Sequence, residues 1–133
     1  MGIDHGSKRI GVAMSDPLRI IAQGLCAVEN SPGAMDKLDQ IVREYQPEKI
    51  VVGMPFNLKG EKGVKAIEVE EFISVLRHKS NLEVIPWDER FTSKVAHQTL
   101  RDMNVKKKSR RIKENIDAMA AALILQSYLD SHR

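Results

Sequence analysis

The chain has 133 residues, 42% hydrophobic and 29% charged, with a formal net charge of +3. That length and balance suit one soluble domain able to bury its own core. No apolar run approaches the roughly 20 residues that cross a bilayer, so no membrane partner is expected. The N-terminus reads as strand and turn, with no basic or apolar signal-peptide region. A single cysteine, Cys26, excludes an intrachain disulfide, suits a reducing cytoplasm and reads as a small core residue. His5, His78, His97 and His132 match no zinc spacing.

Gly2-Ile3-Asp4 is a very short lead ending in an acid. His5 to Lys8 form a turn, where Gly6 can take a positive φ at no steric cost. Ile10, Val12 and Met14 then alternate with Gly11, Ala13 and Ser15 at strand period. Ile20 to Val28 reads as a third strand, joined to the second through Asp16-Pro17-Leu18-Arg19. Ser31 is placed to cap a helix with Pro32 at its first position. Met35, Leu38, Ile41, Val42 and Tyr45 share one face of that helix, and Pro47 stops it. Lys49 to Met54 reads as a strand buried on both faces.

Phe56 to Gly63 reads as a mobile polar loop. Val64 to Lys79 is helical, with Ile67, Phe72, Ile73 and Leu76 among its apolar positions. Leu82 to Trp87 is a strand that ends at Asp88-Glu89-Arg90. Thr92 or Ser93 caps a helix reaching about Met103, with Val95, Ala96 and Leu100 inward. Val105 to Lys113 is a basic segment, and a last helix runs from about Asn115 to Tyr128. The order β-β-β-α-β-α-β-α-α predicts an α/β fold: a five-stranded mixed sheet, its first three strands an antiparallel meander, flanked by helices on both faces.

In such sheets ligand chemistry gathers at strand ends beside the crossover loops. Asp4 ends strand one, and Asp88 and Glu89 end strand five. Asp4 is either a turn-forming acid or one held by a hard divalent cation, since a buried carboxylate needs positive charge. Asp117 falls in the first turn or so of the last helix, on a stripe with Ala121, Ile124 and Tyr128 that turns inward. It is either an acid at the sheet's rim or one favoured by the helix dipole. Three such acids are the minimum for holding Mg²⁺ or Mn²⁺, and paired metals about 4 Å apart can drive phosphodiester hydrolysis.

Arg101, Lys106, Lys107, Lys108, Arg110, Arg111 and Lys113 stand against one acid, Asp102, just before the helix that carries Asp117. Such a run is either a solvated loop or a track for a phosphate backbone leading past the acids. Lys8 and Arg9 add charge beside Asp4. With aromatics at 5%, no base-stacking pattern is visible.

Four segments together resemble the YqgF family of RNase H-like proteins, whose members are called Holliday junction resolvases or pre-16S rRNA nucleases. They are Gly2-Ile3-Asp4-His5-Gly6-Ser7-Lys8-Arg9-Ile10-Gly11-Val12-Ala13 through Ser15-Asp16; Val51-Val52-Gly53-Met54-Pro55-Phe56-Asn57 with Gly60 and Gly63; Asp88-Glu89-Arg90-Phe91-Thr92-Ser93; and Ile116-Asp117-Ala118-Met119-Ala120-Ala121 to Leu129. The resemblance implies one RNase H-like nuclease domain over residues 1–133, monomeric or homodimeric, in a bacterial cytoplasm. It implies a hydrolase using Mg²⁺ or Mn²⁺ to process the 5′ end of pre-16S rRNA, with four-way DNA junctions as the alternative substrate. Asp4, Asp117 and either Glu89 or Asp88 would be catalytic, with Asp4, Glu89 and Asp117 on the metal. Lys8, Arg9, Arg90, Lys106, Lys107, Lys108, Arg110 and Arg111 would contact nucleic acid.

Three departures stand out. Only three residues precede Asp4. Gly53-Met54-Pro55 has no carboxylate where many RNase H-like nucleases carry one. Phe91-Thr92-Ser93 stands where Leu-Thr-Thr is more usual. The missing acid favours a non-catalytic nucleic-acid-binding factor as the competing reading. An ATPase of the actin and sugar-kinase type shares the Asp-x-Gly hairpin, but it needs two such domains.

Overall fold

The computed structural model describes residues 1–57, 59–105 and 109–133; Leu58 and three predicted nucleic-acid contacts, Lys106, Lys107 and Lys108, lie outside the described residues. Strands β1 (Gly2–His5), β2 (Arg9–Ser15), β3 (Ala22–Glu29), β4 (Lys49–Met54) and β5 (Glu83–Asp88) form one sheet in the order β3-β2-β1-β4-β5. The first three pair antiparallel, while β1–β4 and β4–β5 are parallel. Helices α1 (Ala34–Tyr45), α2 (Val64–Ser80), α3 (Lys94–Val105) and α4 (Arg110–Ser131) complete the α/β fold. Among the described residues no helix is long and apolar enough to cross a membrane.

Side chains alternate across each strand, so every strand feeds two layers. Ile3, Ile10, Val12, Ile50, Val52 and Val84 pack with Leu38 of α1 and Val69, Ile73 and Leu76 of α2. Ala13 and Val51 pack on the other face with Ala121, Ile124, Leu125 and Leu129 of α4. Each large apolar side chain so buried contributes about 1.5–3 kcal/mol. Asp4 has the opposite parity to Ile3, which puts its carboxyl on the α4 face. Cys26 is half-buried at the edge of the first layer.

Several boundaries differ from expectation for local reasons. Asp16 Oδ1 accepts the N–H groups of Ile20 and Ile21, at 2.7 and 2.9 Å, so both residues belong to the turn and β3 starts at Ala22. Helix α1 starts at Ala34 behind Gly33, with no side-chain cap; Ser31 contributes its carbonyl, to Ala34 N–H at 2.9 Å. Ser93 Oγ accepts Ala96 N–H at 3.2 Å, whereas Thr92 is buried. Val95, expected inward, is exposed, because α3 packs on α4 through Leu100 against Ile116 and Ala120. Ile67 and Tyr45 also face outward. The predicted mobile loop is tied around Asn57, whose Oδ1 accepts Lys59 N–H and Glu61 N–H at 3.0 and 2.9 Å.

Helix α4 begins five residues earlier than expected, with Ser109 Oγ accepting Ile112 N–H at 3.3 Å. Arg110, Arg111 and Lys113 are therefore helical, and Asp117 lies two turns in, beyond the dipole's reach. Small residues decide how near this helix comes to the sheet. A Cβ at Gly11 would lie 2.0 Å from the Asp117 carbonyl oxygen, which is backbone and cannot swing aside. Gly11→Ala is expected to cost about 1–3 kcal/mol in urea unfolding, the usual penalty for overpacking. Gly33→Ala, at a site with open space, should change stability by less than about 0.5 kcal/mol.

Candidate active site

β1 is the central strand, and Asp4 pairs with Gly11 on β2. On its other side the parallel register sets Ile3 opposite Val52, which brings Gly53 next to Asp4. Both neighbours are glycines, and an acid from elsewhere uses the space at each. At Gly11 the α4 backbone arrives at Asp117. At Gly53 a Cβ would lie 2.7 Å from Glu89 Oε1, so the Glu89 carboxylate lies over β4. The end of β4 has no acid of its own, and Glu89 reaches across from the end of β5 into that place.

Alternation along β5 separates the two candidates at its end. Trp87 packs on the α4 side and Glu89 follows it there, whereas Asp88 shares the parity of Val84 in the opposite layer. Asp88 is engaged elsewhere: its Oδ1 accepts Arg90 N–H at 2.9 Å, and both its oxygens accept Arg90 Nε, at 3.0 and 2.9 Å. The Arg90 hydrogen bond holds its carboxyl below the usual carboxylate range. The structure thus turns Glu89 toward Asp4 and Asp88 away from it. The Arg90 guanidinium lies 5.6 Å from the centroid of the Phe56 ring.

The acids feel one another. Burial, and then the charge of Asp117, push the Asp4 carboxyl up to about 6. Burial, and then the charge of Asp4, push Glu89 up to about 7. Lys65 and Arg101 pull both values back down. Asp117 accepts a hydrogen bond from Arg9 Nε, an ion pair largely screened from solvent.

Lys65 and Arg101 are the site residues that reading the sequence missed. Lys65 stands in the first turn of α2, its Nζ 3.5 Å from His5 Nδ1. A cation there opposes the helix dipole, a signal visible in the sequence. Arg101 opens the basic run that ends at Lys113, and nothing local in the sequence singles it out.

Lys8, Arg9, Arg110 and Lys113 line a cleft of about 630 Å³ with Ser7, Asn30 and Glu29. The hairpin turn and the start of α4, distant in sequence, form it together. Arg110 also pairs with Glu114 at 3.0 Å and Glu29 at 3.6 Å, and Arg111 is exposed on the same helical turn. Arg9 lines this cleft and also grips Asp117, which links the cleft to the acids although none of the three lines it. A second cleft, of about 520 Å³, lies at the opposite end of the sheet beside Met1, Tyr45 and Lys49, and none of these acids lines it.

The donors suit a hard divalent cation: all are carboxylates, and burial and mutual repulsion raise two of them. Among the described residues, no three His, Cys, Asp or Glu side chains stand close enough together to hold one ion. Asp117 is turned onto Arg9.

Asp4 and Glu89 bind protons more tightly in the folded chain than in the unfolded one. Without metal, stability therefore falls as pH rises from about 4, where unfolded carboxyls ionise, to about 7, and levels off above. Glu89→Gln removes much of this penalty. In chelator it should be more stable than wild type at pH 8, by on the order of 1–3 kcal/mol, with the difference closing at pH 4. Equal melting temperatures at pH 8 would show that Glu89 is not desolvated.

The sequence model of the family described as "RuvX: Holliday junction resolvase" matches residues 1–131. The chain is 41% identical over 133 residues to the "Putative pre-16S rRNA nuclease" of Ruminiclostridium cellulolyticum, covering 98% of this chain and 92% of that one. It is 42% identical over 135 residues to the protein of the same name from Listeria monocytogenes serotype 4b, covering 98% and 96%. Among solved structures, Thermus thermophilus RuvC superposes with a TM-score of 0.58 at 18% identity, over 98% of this chain and 95% of that one. The same protein in complex with a Holliday junction substrate gives 0.56 at 18% identity, over 98% and 94%. These structures share the fold, and the chain belongs to the RuvX (YqgF) family.

Proposed function

We propose that the protein is a metal-dependent endonuclease that hydrolyses phosphodiesters of structured RNA, in processing the 5′ end of pre-16S rRNA. The observation that carries this reading is the gathering of Asp4, Glu89 and Asp117 on one face of the sheet, beside a cationic cleft. The name shared by the relatives supports the substrate. The chain would act as a single domain in the bacterial cytoplasm, and all three acids come from one protomer.

Asp4, Glu89 and Asp117 would hold Mg²⁺ or Mn²⁺. When bound, the metal supplies the Lewis acidity that activates water and stabilises the leaving oxygen. The chain's own groups position the substrate. Lys65 and Arg101, both in electrostatic reach of Asp4 and Glu89, neutralise the scissile phosphate. Lys8, Arg110 and Lys113 hold the flanking backbone, together with Arg111 and the sequence neighbours Lys106, Lys107 and Lys108. Arg9 orients Asp117, and the Asp88–Arg90 pair fixes the turn that carries Glu89.

A second reading, cleavage of branched DNA, draws on the family description and on the junction bound by Thermus thermophilus RuvC. The decisive experiment incubates the pure protein with precursor 16S rRNA and with four-way-junction DNA, in Mn²⁺, Mg²⁺ or chelator. Metal-dependent cutting of the RNA is expected. Asp4→Asn should slow it at least about a hundredfold with the fold intact, since removing a ligand costs more than disturbing an outer-shell partner. An Asp4→Asn protein that cuts like wild type defeats the reading.

Lys8→Ala with Lys113→Ala tests the track. It should weaken RNA binding irrespective of sequence and flatten the slope of log K against log salt by about 1–1.5, as expected for two lost phosphate contacts on a single strand. An unchanged slope would remove the cleft from the interface.

A further inference from the structure

Phe91 is 66% exposed, yet it stands two residues beyond Glu89 in the single 3₁₀ turn Glu89–Phe91. A scattered exposed apolar side chain is ordinary. This one is held. Thr92 N–H and Thr92 Oγ1 both donate to the Glu89 carbonyl, at 3.1 and 2.6 Å. Ser127 Oγ donates to the Phe91 carbonyl at 3.2 Å. The Phe91 ring leans on Trp87, with centroids 5.4 Å apart and planes tilted by 55°, and Trp87 Nε1 donates to Ser127 Oγ at 3.0 Å. The backbone is thus pinned on both sides of a ring that is backed by Trp87 and otherwise open to solvent.

We propose that Phe91 is a stacking platform for an unpaired nucleobase beside the phosphodiester cut at Asp4 and Glu89. This rests on the nuclease reading of the site and specifies its substrate: a single-stranded or flared RNA segment, not a continuous duplex. Inside a duplex each base has both faces covered, so only a splayed base can lie on an aromatic ring. A ring ordered in advance loses little freedom on binding. Phenylalanine supplies a flat π-face on which a base can lie.

The neighbours favour a base over a protein partner. Phe91 and Val95 are the exposed apolar side chains of this short segment, and the exposed cation Lys94 lies between them in the chain. Two side chains fall far short of the roughly 800 Å² per partner of a stable protein interface. One ring face suffices for a base. Lys94 suits a phosphate next to it.

The test uses the full chain in chelator, so that the probe is not cut. The probe is a short RNA carrying 2-aminopurine, presented single-stranded or as a blunt duplex. Wild type should quench the single strand and bind it more tightly than the duplex. Phe91→Ala and Phe91→Leu should each lose roughly tenfold in single-strand affinity along with the quenching, and Phe91→Trp should keep both. All three should melt within a few degrees of wild type, because the ring is exposed. A leucine variant that quenches and binds like wild type overturns the proposal, as does an equal loss of duplex binding. RNA binding that is intact but indifferent to Phe91 sinks this inference alone. A wild-type chain that binds no RNA sinks the nuclease reading with it.

Discussion

The structure depends on a half-buried carboxylate flanked by two glycines. Asp4 lies on the central strand between Gly11 and Gly53, and neither neighbour carries a side chain to crowd it. The space at Gly11 lets the α4 backbone come down at Asp117, and the space at Gly53 admits the Glu89 carboxylate. Larger residues at either position would push an acid away from Asp4 and lift a helix from the sheet. The same two gaps therefore set both the packing of α4 and the approach of the acids.

Gathering acids in this way is costly, and the cost is visible in the raised carboxyls of Asp4 and Glu89. Desolvation disfavours their charged forms, and their mutual repulsion adds to it. The chain offsets part of this with cations from three elements: Arg9 on β2 grips Asp117, while Lys65 on α2 and Arg101 on α3 act on the other two acids. Carboxylate oxygens of this kind are the donors a hard cation prefers. Arg9 also lines the cleft that holds Lys8, Arg110 and Lys113.

The end of β4 illustrates why a motif position and a spatial position are not the same thing. Gly53-Met54-Pro55 lacks an acid, which on the sequence alone counts against catalysis. In three dimensions β5 lies parallel to β4, and one alternation past Trp87 puts Glu89 over Gly53. A carboxylate thus occupies the space over β4, and it comes from the turn that follows β5. Asp88, one residue earlier, faces the other layer and serves Arg90 instead. A shift of one residue changes the face, so the choice between adjacent acids is decided by strand parity.

Hydrophobic period and breakers alone determined the five strands, the four helices and their order, because strand and helix periods are local properties of the chain. The two-layer burial of β4 and the inward stripe of Ala121 and Ile124 were legible for the same reason. Cap positions were less so: Ser109 and Gly33 take the helix starts that composition assigned to later or earlier residues. Tertiary structure alone decided which of Asp88 and Glu89 meets Asp4, that Lys65 and Arg101 share their field, and that Arg9 takes Asp117. It also decided that Phe91 stands clear of the core while Trp87 supports it. Each of these depends on register between strands, or on the approach of a helix to a glycine. Those distances are set by packing among residues far apart in the chain, and no local pattern encodes them.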